Sequence, residues 1–206
     1  MKVLLINGSP KPAGNTAFAL AQIAEVFAAE GVETETIQVG SSLIRGCIGC
    51  GSCYKTQKCV FDDQVNEVAQ KFHEADGIVV GSPVYYASPN GTLLSFLDRL
   101  FYSTGHIDKS MKVGAAIVCA RRGGCSAALD VLNKYFTISN MPVASSSYWN
   151  MIHGGKPGEA QQDAEGIRTM RNLAKNMVFL MRSIAMGKES IGLPEAEKKV
   201  FTNFIR

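Results

Sequence analysis

Residues 7–16 read Asn-Gly-Ser-Pro-Lys-Pro-Ala-Gly-Asn-Thr. They follow the short apolar run Val3–Ile6, which is typical of a strand buried on both faces, and precede an alanine-rich helical pattern at about 15–29. The N–H groups in the first turn of a helix have no partner within it, and the helix dipole attracts negative charge there. The stretch therefore predicts an anion site between strand and helix, although an ordinary strand-to-helix turn is the alternative.

Two familiar phosphate-binding loops do not match this stretch. A P-loop needs four residues between its glycines and then Lys, whereas five residues separate Gly8 from Gly14 and Asn15 follows. The dinucleotide fingerprint is absent, and the second predicted strand ends at Gln38-Val39-Gly40 without the acidic residue that binds a ribose. What remains is a loop suited to one terminal phosphate, held by hydroxyls, an amide and backbone N–H groups.

Composition limits the class of protein. The chain has 206 residues, 46% of them hydrophobic and 19% charged, which indicates a globular domain. The net charge of +3 is small and the basic residues are scattered, so nothing points to nucleic acid. No apolar stretch approaches the ~20 residues of a membrane span, and the first apolar run is too short for a signal peptide. We expect a cytoplasmic protein whose six cysteines are thiols, metal ligands or redox groups rather than disulfides.

Strand and helix patterns alternate along the chain. They predict an α/β fold, a doubly wound five-stranded parallel sheet in the order 2-1-3-4-5 with helices on both faces. The predicted strands lie at 3–6, 32–39, 76–81, 113–120 and within 141–148, with a loop at 82–88. The predicted helices lie at 15–29, 62–75, 89–101, 126–136 and 161–186.

One domain is predicted at 1–187 and a separate tail at 188–206. Leu193-Pro194-Glu195 resembles a helix start, and the tail carries an apolar stripe of Val200, Phe201, Phe204 and Ile205. Such a segment is too short to be stable alone, so we expect it to dock on its own domain or on another subunit.

Four cysteines lie in the Cys-rich loop at 46–60. Cys47, Cys50, Cys53 and Cys59 have the spacing C-x2-C-x2-C-x5-C. Thiolates suit soft metals, and three cysteines at successive x2 spacings favour a [4Fe–4S] cluster over zinc. Free thiols beside a cofactor and a zinc site remain alternatives.

The phosphate loop, this Cys spacing and Ser82-Pro83-Val84-Tyr85-Tyr86 together resemble the iron–sulfur flavoproteins over about residues 1–155. These proteins belong to the wider NADPH-dependent FMN reductase family, with a flavodoxin-like fold. The resemblance implies FMN and a [4Fe–4S] cluster held by the four loop cysteines. The FMN phosphate would lie near Ser9, Lys11, Asn15, Thr16 and Ala17. The isoalloxazine ring of FMN would lie near Pro83, Val84, Tyr85, Tyr86 and Ala87.

Arg121-Arg122-Gly123-Gly124 ends the fourth predicted strand and opens a helix. Reduced FMN carries negative charge at N1, which a cation or a helix N-terminus stabilises. We assign that role to Arg122, with Gly123 and Gly124 allowing close backbone approach; a solvated pair of arginines is the alternative. Cys119 and Cys125, outside the four-Cys run, are predicted to be buried small hydrophobes.

The resulting hypothesis is an FMN-dependent oxidoreductase with no catalytic side chain assigned. It would pass electrons from NAD(P)H or ferredoxin to a small acceptor such as a quinone or an oxygen species. The alternatives are a cluster-free NAD(P)H:FMN or quinone reductase, a non-catalytic electron carrier and a zinc-stabilised protein that sequesters flavin. The family resemblance also implies a homodimer or a homotetramer.

Overall fold

The computed structural model describes residues 1–198, 200–202 and 204. Its strands are β1 (Lys2–Asn7), β2 (Glu33–Gln38), β3 (Gly77–Tyr85), β4 (Ser88–Pro89), β5 (Val113–Ala120) and β6 (Met151–His153). Its α-helices are α1 (Asn15–Ala29), α2 (Cys53–Thr56), α3 (Gln64–Glu74), α4 (Gly91–Ser103), α5 (Cys125–Thr137) and α6 (Ala164–Ile191). A short 3-10 helix, Glu159–Gln162, precedes α6.

The sheet is parallel along the order β2-β1-β3-β5-β6, and the two-residue β4 pairs antiparallel with β3. The predicted α/β architecture is confirmed, but the predicted five-strand order is corrected to six strands. The sequence predicted a loop at 82–88, but β3 continues through Ser82–Tyr85. The chain then turns back, and β4 pairs with the end of β3 as the extra strand. Tyr86 and Ala87 form the turn with φ of 50° and 58°, a conformation uncommon for residues other than glycine.

The last strand lies later in the chain than predicted. Within 141–148 only Val143 pairs with the sheet, through an isolated bridge to Gly114. The chain rejoins β5 where the Val118 N–H donates to the Asn150 carbonyl (3.0 Å), and β6 follows directly. The serine-rich segment 145–149 separates the two places where this edge of the sheet pairs with β5. The prediction relied on apolar residues, so it found the first place, near Val143, and missed β6.

Two apolar cores sandwich the sheet. Leu4 and Ile6 of β1 face the core that includes residues of α3, α4 and α5, whereas Val3 and Leu5 face the core beneath α1 and α6. This alternation within a fully buried strand places helices on both faces, as the continuous apolar run predicted. The carboxyl ends of β1, β3 and β5 therefore meet at one edge, where the loops that follow them come together.

Helix α6 crosses the predicted boundary at residue 187 and ends at Ile191. In the described part of the tail no helix begins at Leu193, so that predicted helix start is not found there. Val200, Phe201 and Phe204 are exposed, and Ile205 lies outside the described residues. Within the part of the chain that the structure describes, no helix has the length and apolar character needed to cross a membrane.

Candidate functional site: a groove at the strand ends and a cysteine-lined cavity

The phosphate loop is held by side chains at the ends of two neighbouring strands. The Ser9 N–H donates to Asn7 Oδ1 (3.0 Å), and the Lys11 N–H donates to Ser9 Oγ (3.1 Å). Gln38, at the end of β2, accepts from Asn7 Nδ2 (2.7 Å) and donates from Nε2 to the Ser9 carbonyl (2.6 Å). This network fixes the turn before any ligand arrives.

Helices α1 and α5 begin without a side-chain cap. Gly14 and Gly124 occupy their N-cap positions and supply no side chain. Helices α3, α4 and α6 are capped instead by Asp63, Asn90 and Asp163, each accepting a backbone N–H of the first turn. The first-turn N–H groups of α1 and α5 therefore lack a side-chain acceptor, and an anion is what such groups bind best.

A groove of about 190 Å³ opens at this edge of the sheet. Seven of the predicted cofactor residues line it, namely Ser9, Lys11, Asn15, Thr16, Pro83, Val84 and Tyr85. The lining also includes residues that the sequence analysis did not assign to the site, namely Gly14, Cys119, Ala120, Arg121, Gly154, Gly155 and Pro157. Polar groups gather at the α1 end, and the backbone and apolar side chains of β3 and β5 form the walls, which is the usual composition of a cofactor site.

The other predicted cofactor residues lie outside this lining. They are Ala17, Tyr86, Ala87, Arg122, Gly123 and Gly124. Gly124 packs against the β3–β4 turn so closely that a Cβ there would lie 2.8 Å from Ala87 Cα. Arg121, rather than the predicted Arg122, lines the groove, and Tyr86 is fully exposed on the strained turn. Cys119 and Cys125 are buried, as predicted, and burial raises the pKa of Cys119 to about 12.

Asn15 holds the loop that follows β6. Its Nδ2 donates to the Lys156 carbonyl (2.9 Å), and its Oδ1 accepts from Gly158 N (3.1 Å) and Ala160 N (3.3 Å). The side chain therefore links the start of α1 to the 154–160 loop, a role that sequence reasoning missed. The sequence offered one indication that this loop belongs to the site, because the loop follows a strand and therefore lies at the carboxyl edge of the sheet.

Glu159 closes the same loop. One carboxylate oxygen accepts from Gly155 N (2.8 Å) and Lys156 N (2.9 Å). These two N–H groups, that of Lys156 first, lower the pKa of Glu159 below its usual 4.5. The loop wall of the groove thus depends on an ionised carboxylate.

The four loop cysteines line a second, small cavity. Cys47 and Cys50 are exposed, whereas Cys53 and Cys59 are half-buried. Partial burial, with a smaller contribution from the neighbouring thiols, raises the pKa of Cys53. Among residues 1–198, 200–202 and 204, no three His, Cys, Asp or Glu side chains are grouped closely enough to hold a metal ion. The thiols face a shared cavity instead of meeting at one point.

Arg99 forms part of the wall of that cavity and was missed in the sequence. It lies in the middle of α4, among inward-facing leucines, with a side chain that is 0% exposed. Its Nε donates to Cys59 Sγ at 3.2 Å. Asp63 caps the following helix by accepting the Val65 N–H (3.1 Å), and it also forms an ion pair with Arg99 (2.7 Å).

The fold and the groove define a class of α/β protein with a flavodoxin-like sheet. The structure is similar to that of RosB bound to 8-demethyl-8-formylriboflavin-5'-phosphate, with a TM-score of 0.67 and 16% identity over 100% of this chain and 94% of RosB. It is similar to a flavodoxin from the domain Archaea as well, with a TM-score of 0.55 and 19% identity over 86% of this chain and 99% of the flavodoxin. At such identities the likeness concerns the fold.

Sequence comparison identifies the family. Residues 1–156 match the NADPH-dependent FMN reductase family, and the chain belongs to it. An iron-sulfur flavoprotein of Methanocaldococcus jannaschii is 34% identical over 191 residues, which cover 89% of this chain and 99% of that relative. The chain thus falls among the iron–sulfur flavoproteins of this family, as the sequence motifs predicted. Family and fold together support an FMN-dependent oxidoreductase.

Proposed function

We propose that the groove binds one FMN, with the phosphate at the start of α1 and the ring along Pro83–Tyr85. The observation that carries this proposal is the continuity of the groove from an uncapped helix N-terminus to the walls formed by β3 and β5. Ser9 and Thr16 contribute hydroxyls to the lining of the groove, and Lys11 adds a positive charge. When bound there, FMN would supply electron transfer in steps of one or two electrons.

The residues at the ring end would tune that chemistry. Arg121 lines the groove beside Gly155, and a Cβ added at Gly155 would lie 3.1 Å from the Arg121 Cγ. A cation or the α5 N-terminus near the ring stabilises negative charge on a reduced flavin. We assign this role to Arg121 together with the backbone at Gly123 and Gly124, and Arg122 remains the adjacent candidate.

We further propose a [4Fe–4S] cluster in the cysteine-lined cavity. A cuboidal cluster presents a separate iron to each thiolate, so its ligands surround a volume instead of a point. The four thiols and the mainly apolar lining suit such a group, although the cavity, at about 20 Å³, must widen to admit it. When bound there, it would supply one-electron transfer to or from the flavin. NAD(P)H or ferredoxin is the proposed donor, and a quinone or an oxygen species is the proposed acceptor.

We also propose a homodimer or a homotetramer. Leu43, Ile48, Tyr54 and Val60 leave apolar surface exposed around the Cys-rich loop. A second subunit would cover that patch, because exposed apolar patches commonly mark interfaces. Sedimentation analysis of the holoprotein would test the assembly, and a monomer at all concentrations would contradict it.

Anaerobic purification tests the two cofactors separately. We expect bound FMN in the extracted flavin, together with iron and acid-labile sulfide in equal amounts and no zinc. A protein that takes up no FMN would refute the groove assignment, and flavin without iron would leave the cluster-free reductase. Zinc without iron would support the zinc-stabilised alternative.

A matched pair of cysteine variants locates the metal. Cys50→Ser should lose or destabilise the cluster while keeping FMN, because it removes one thiolate of the cavity. Cys125→Ser makes the same change at a buried position outside the cavity and should keep the iron. Equal iron loss in both variants would argue against the four-Cys assignment.

Turnover distinguishes an enzyme from a carrier. Steady consumption of NADPH that increases when a quinone is added supports an oxidoreductase. A single stoichiometric reduction without turnover, under any of the proposed donors, would support the flavodoxin-type carrier instead.

A further inference from the structure

Arg99 has an unusually complete set of partners for a buried cation. A guanidinium carries five N–H donors, and here each has an acceptor. Nε donates to Cys59 Sγ (3.2 Å), and the two Nη groups donate to both carboxylate oxygens of Asp63 and to the carbonyls of Arg45 and Phe61. The planar fork leaves no freedom to rotate, so the N–H at Nε is fixed on the sulfur.

Cys59 is held by contacts with two helices of the core, α3 and α4. Asn66 of α3 accepts from the Cys59 N–H (2.9 Å) and donates to its carbonyl (3.0 Å), so the backbone is held on both sides. Cys47 and Cys50 are exposed, in a segment whose Gly49 and Gly51 adopt positive φ. Cys59 is therefore positioned by α3 and α4 of the folded core, whereas Cys47 and Cys50 are carried by the exposed part of the loop.

We propose that Arg99 is a positioning residue that fixes Cys59 and raises the reduction potential of the group it ligates. This inference rests on the proposed [4Fe–4S] cluster. One electron added to a cluster increases its negative charge, and no bond forms or breaks. An N–H directed at a ligand sulfur stabilises the more negative state, and hydrogen bonds to the sulfurs are among the factors that set cluster potentials.

Burial strengthens the effect. The Arg99 side chain is shielded from water, and Phe61 lies beneath the guanidinium at 5.0 Å. A hydrogen bond in such surroundings is electrostatically stronger than one in water. Asp63 is held in place as the cap of α3, and its carboxylate balances the charge of Arg99. The specific contribution to the potential is thus the donor at Cys59 more than the formal charge.

Arg99→Lys in the anaerobically purified holoprotein tests this directly. A lysine keeps the charge but cannot bond Asp63 and donate to Cys59 in the same forked geometry. We expect the equilibrium constant for one-electron reduction of the cluster to fall about tenfold, which is 59 mV for a one-electron couple. Redox titration followed by electron paramagnetic resonance measures it, with iron and FMN content determined on the same samples.

Arg45→Lys is the matched control. Arg45 lies over the same Phe61 ring at 4.7 Å but is exposed, so the same substitution there should change the equilibrium constant less than threefold. An unchanged potential in iron-replete Arg99→Lys, or an equal change in Arg45→Lys, would overturn the inference while leaving the cluster in place. Wild-type protein without iron would overturn both the cluster and the inference.

A measurement on the unmutated protein covers the case in which Arg99→Lys does not fold. Arginine labelled with ¹⁵N in the guanidinium group is incorporated, and the reduced cluster is examined by pulsed electron paramagnetic resonance. We expect a ¹⁵N coupling from arginine that persists in labelled Arg45→Lys. Its absence from wild-type protein that contains the cluster would refute the contact.

Discussion

Gly40→Ala should displace the phosphate loop. Gly40 follows β2, and its N–H donates to the Asn7 carbonyl (3.1 Å). A Cβ at Gly40 would lie 2.2 Å from the carbonyl carbon of Ser9 and 2.3 Å from the Gly8 oxygen. These are backbone atoms, so no side-chain rotation relieves the clash. Since ordinary van der Waals contact begins at 3.4 Å, the loop must move by about 1.2 Å.

Two free energies follow from that displacement. Overpacking of this kind costs about 1–3 kcal/mol of stability. Movement of the loop by about 1 Å also breaks the Gln38 Nε2 bond to the Ser9 carbonyl and shifts the N–H groups at the start of α1 relative to a phosphate. One lost hydrogen bond to a charged group is worth about 1.5–3 kcal/mol, so FMN affinity should fall about tenfold or more.

The assay is a fluorescence-quenching titration of apoprotein with FMN, paired with thermal unfolding. Gly91→Ala is the control, because a Cβ at Gly91 meets nothing within 4 Å and should cost neither stability nor affinity. A Gly40→Ala variant that binds FMN as tightly as wild type would refute the reasoning. It would mean that this loop does not hold the phosphate, or that its position does not matter.

Three further predictions concern the same groove. Replacing Ser9 and Thr16 together by Ala should weaken FMN binding by about 1–3 kcal/mol, measured by the same titration, because phosphate oxygens lose their donors; unchanged affinity would contradict the assignment. Asn15→Ala should make the 154–160 loop sensitive to limited proteolysis as FMN weakens, whereas a direct phosphate ligand would weaken FMN with the loop intact. Glu159, with its depressed pKa, stabilises the loop fully above pH 4.5 and loses that contribution as the pH falls through its lowered value, so protease sensitivity should increase on acidification. Glu159→Gln should reduce this pH dependence, and an identical profile in the variant would exclude the carboxylate as its cause.

The sequence was most informative where a single element carried its own signal. The run Val3–Ile6 is buried on both faces because it forms an inner strand of a parallel sheet that is covered by helices on each side, and that burial is what the apolar pattern records. Gly14 appears in the sequence as a turn residue, and the structure places it at an uncapped helix start. The phosphate end of the groove was accordingly predictable from residues adjacent in the chain.

Long-range geometry was not predictable in the same way. The β3–β4 hairpin requires Tyr86 and Ala87 at positive φ, and neither residue type favours that conformation. Tertiary packing compensates for the strain, since Gly124 fits closely against Ala87. A turn that is held by tertiary contacts in this way cannot be found from local propensity.

Arg99 shows why a sequence can reveal the ligands of a metal site without revealing the residues that surround them. The C-x2-C-x2-C-x5-C spacing reveals four thiols because they are close in the chain. Their electrostatic surroundings come in part from Arg99 of α4, which lies 40 residues after Cys59. From the sequence alone, an arginine among the leucines of a helix is expected to point to solvent. A buried cation is expensive unless all its donors are satisfied, and its full set of partners exists only after α3, α4 and the Cys-rich loop have packed together. Sequence spacing can therefore indicate which atoms bind the metal, whereas the groups that set its potential emerge from the fold.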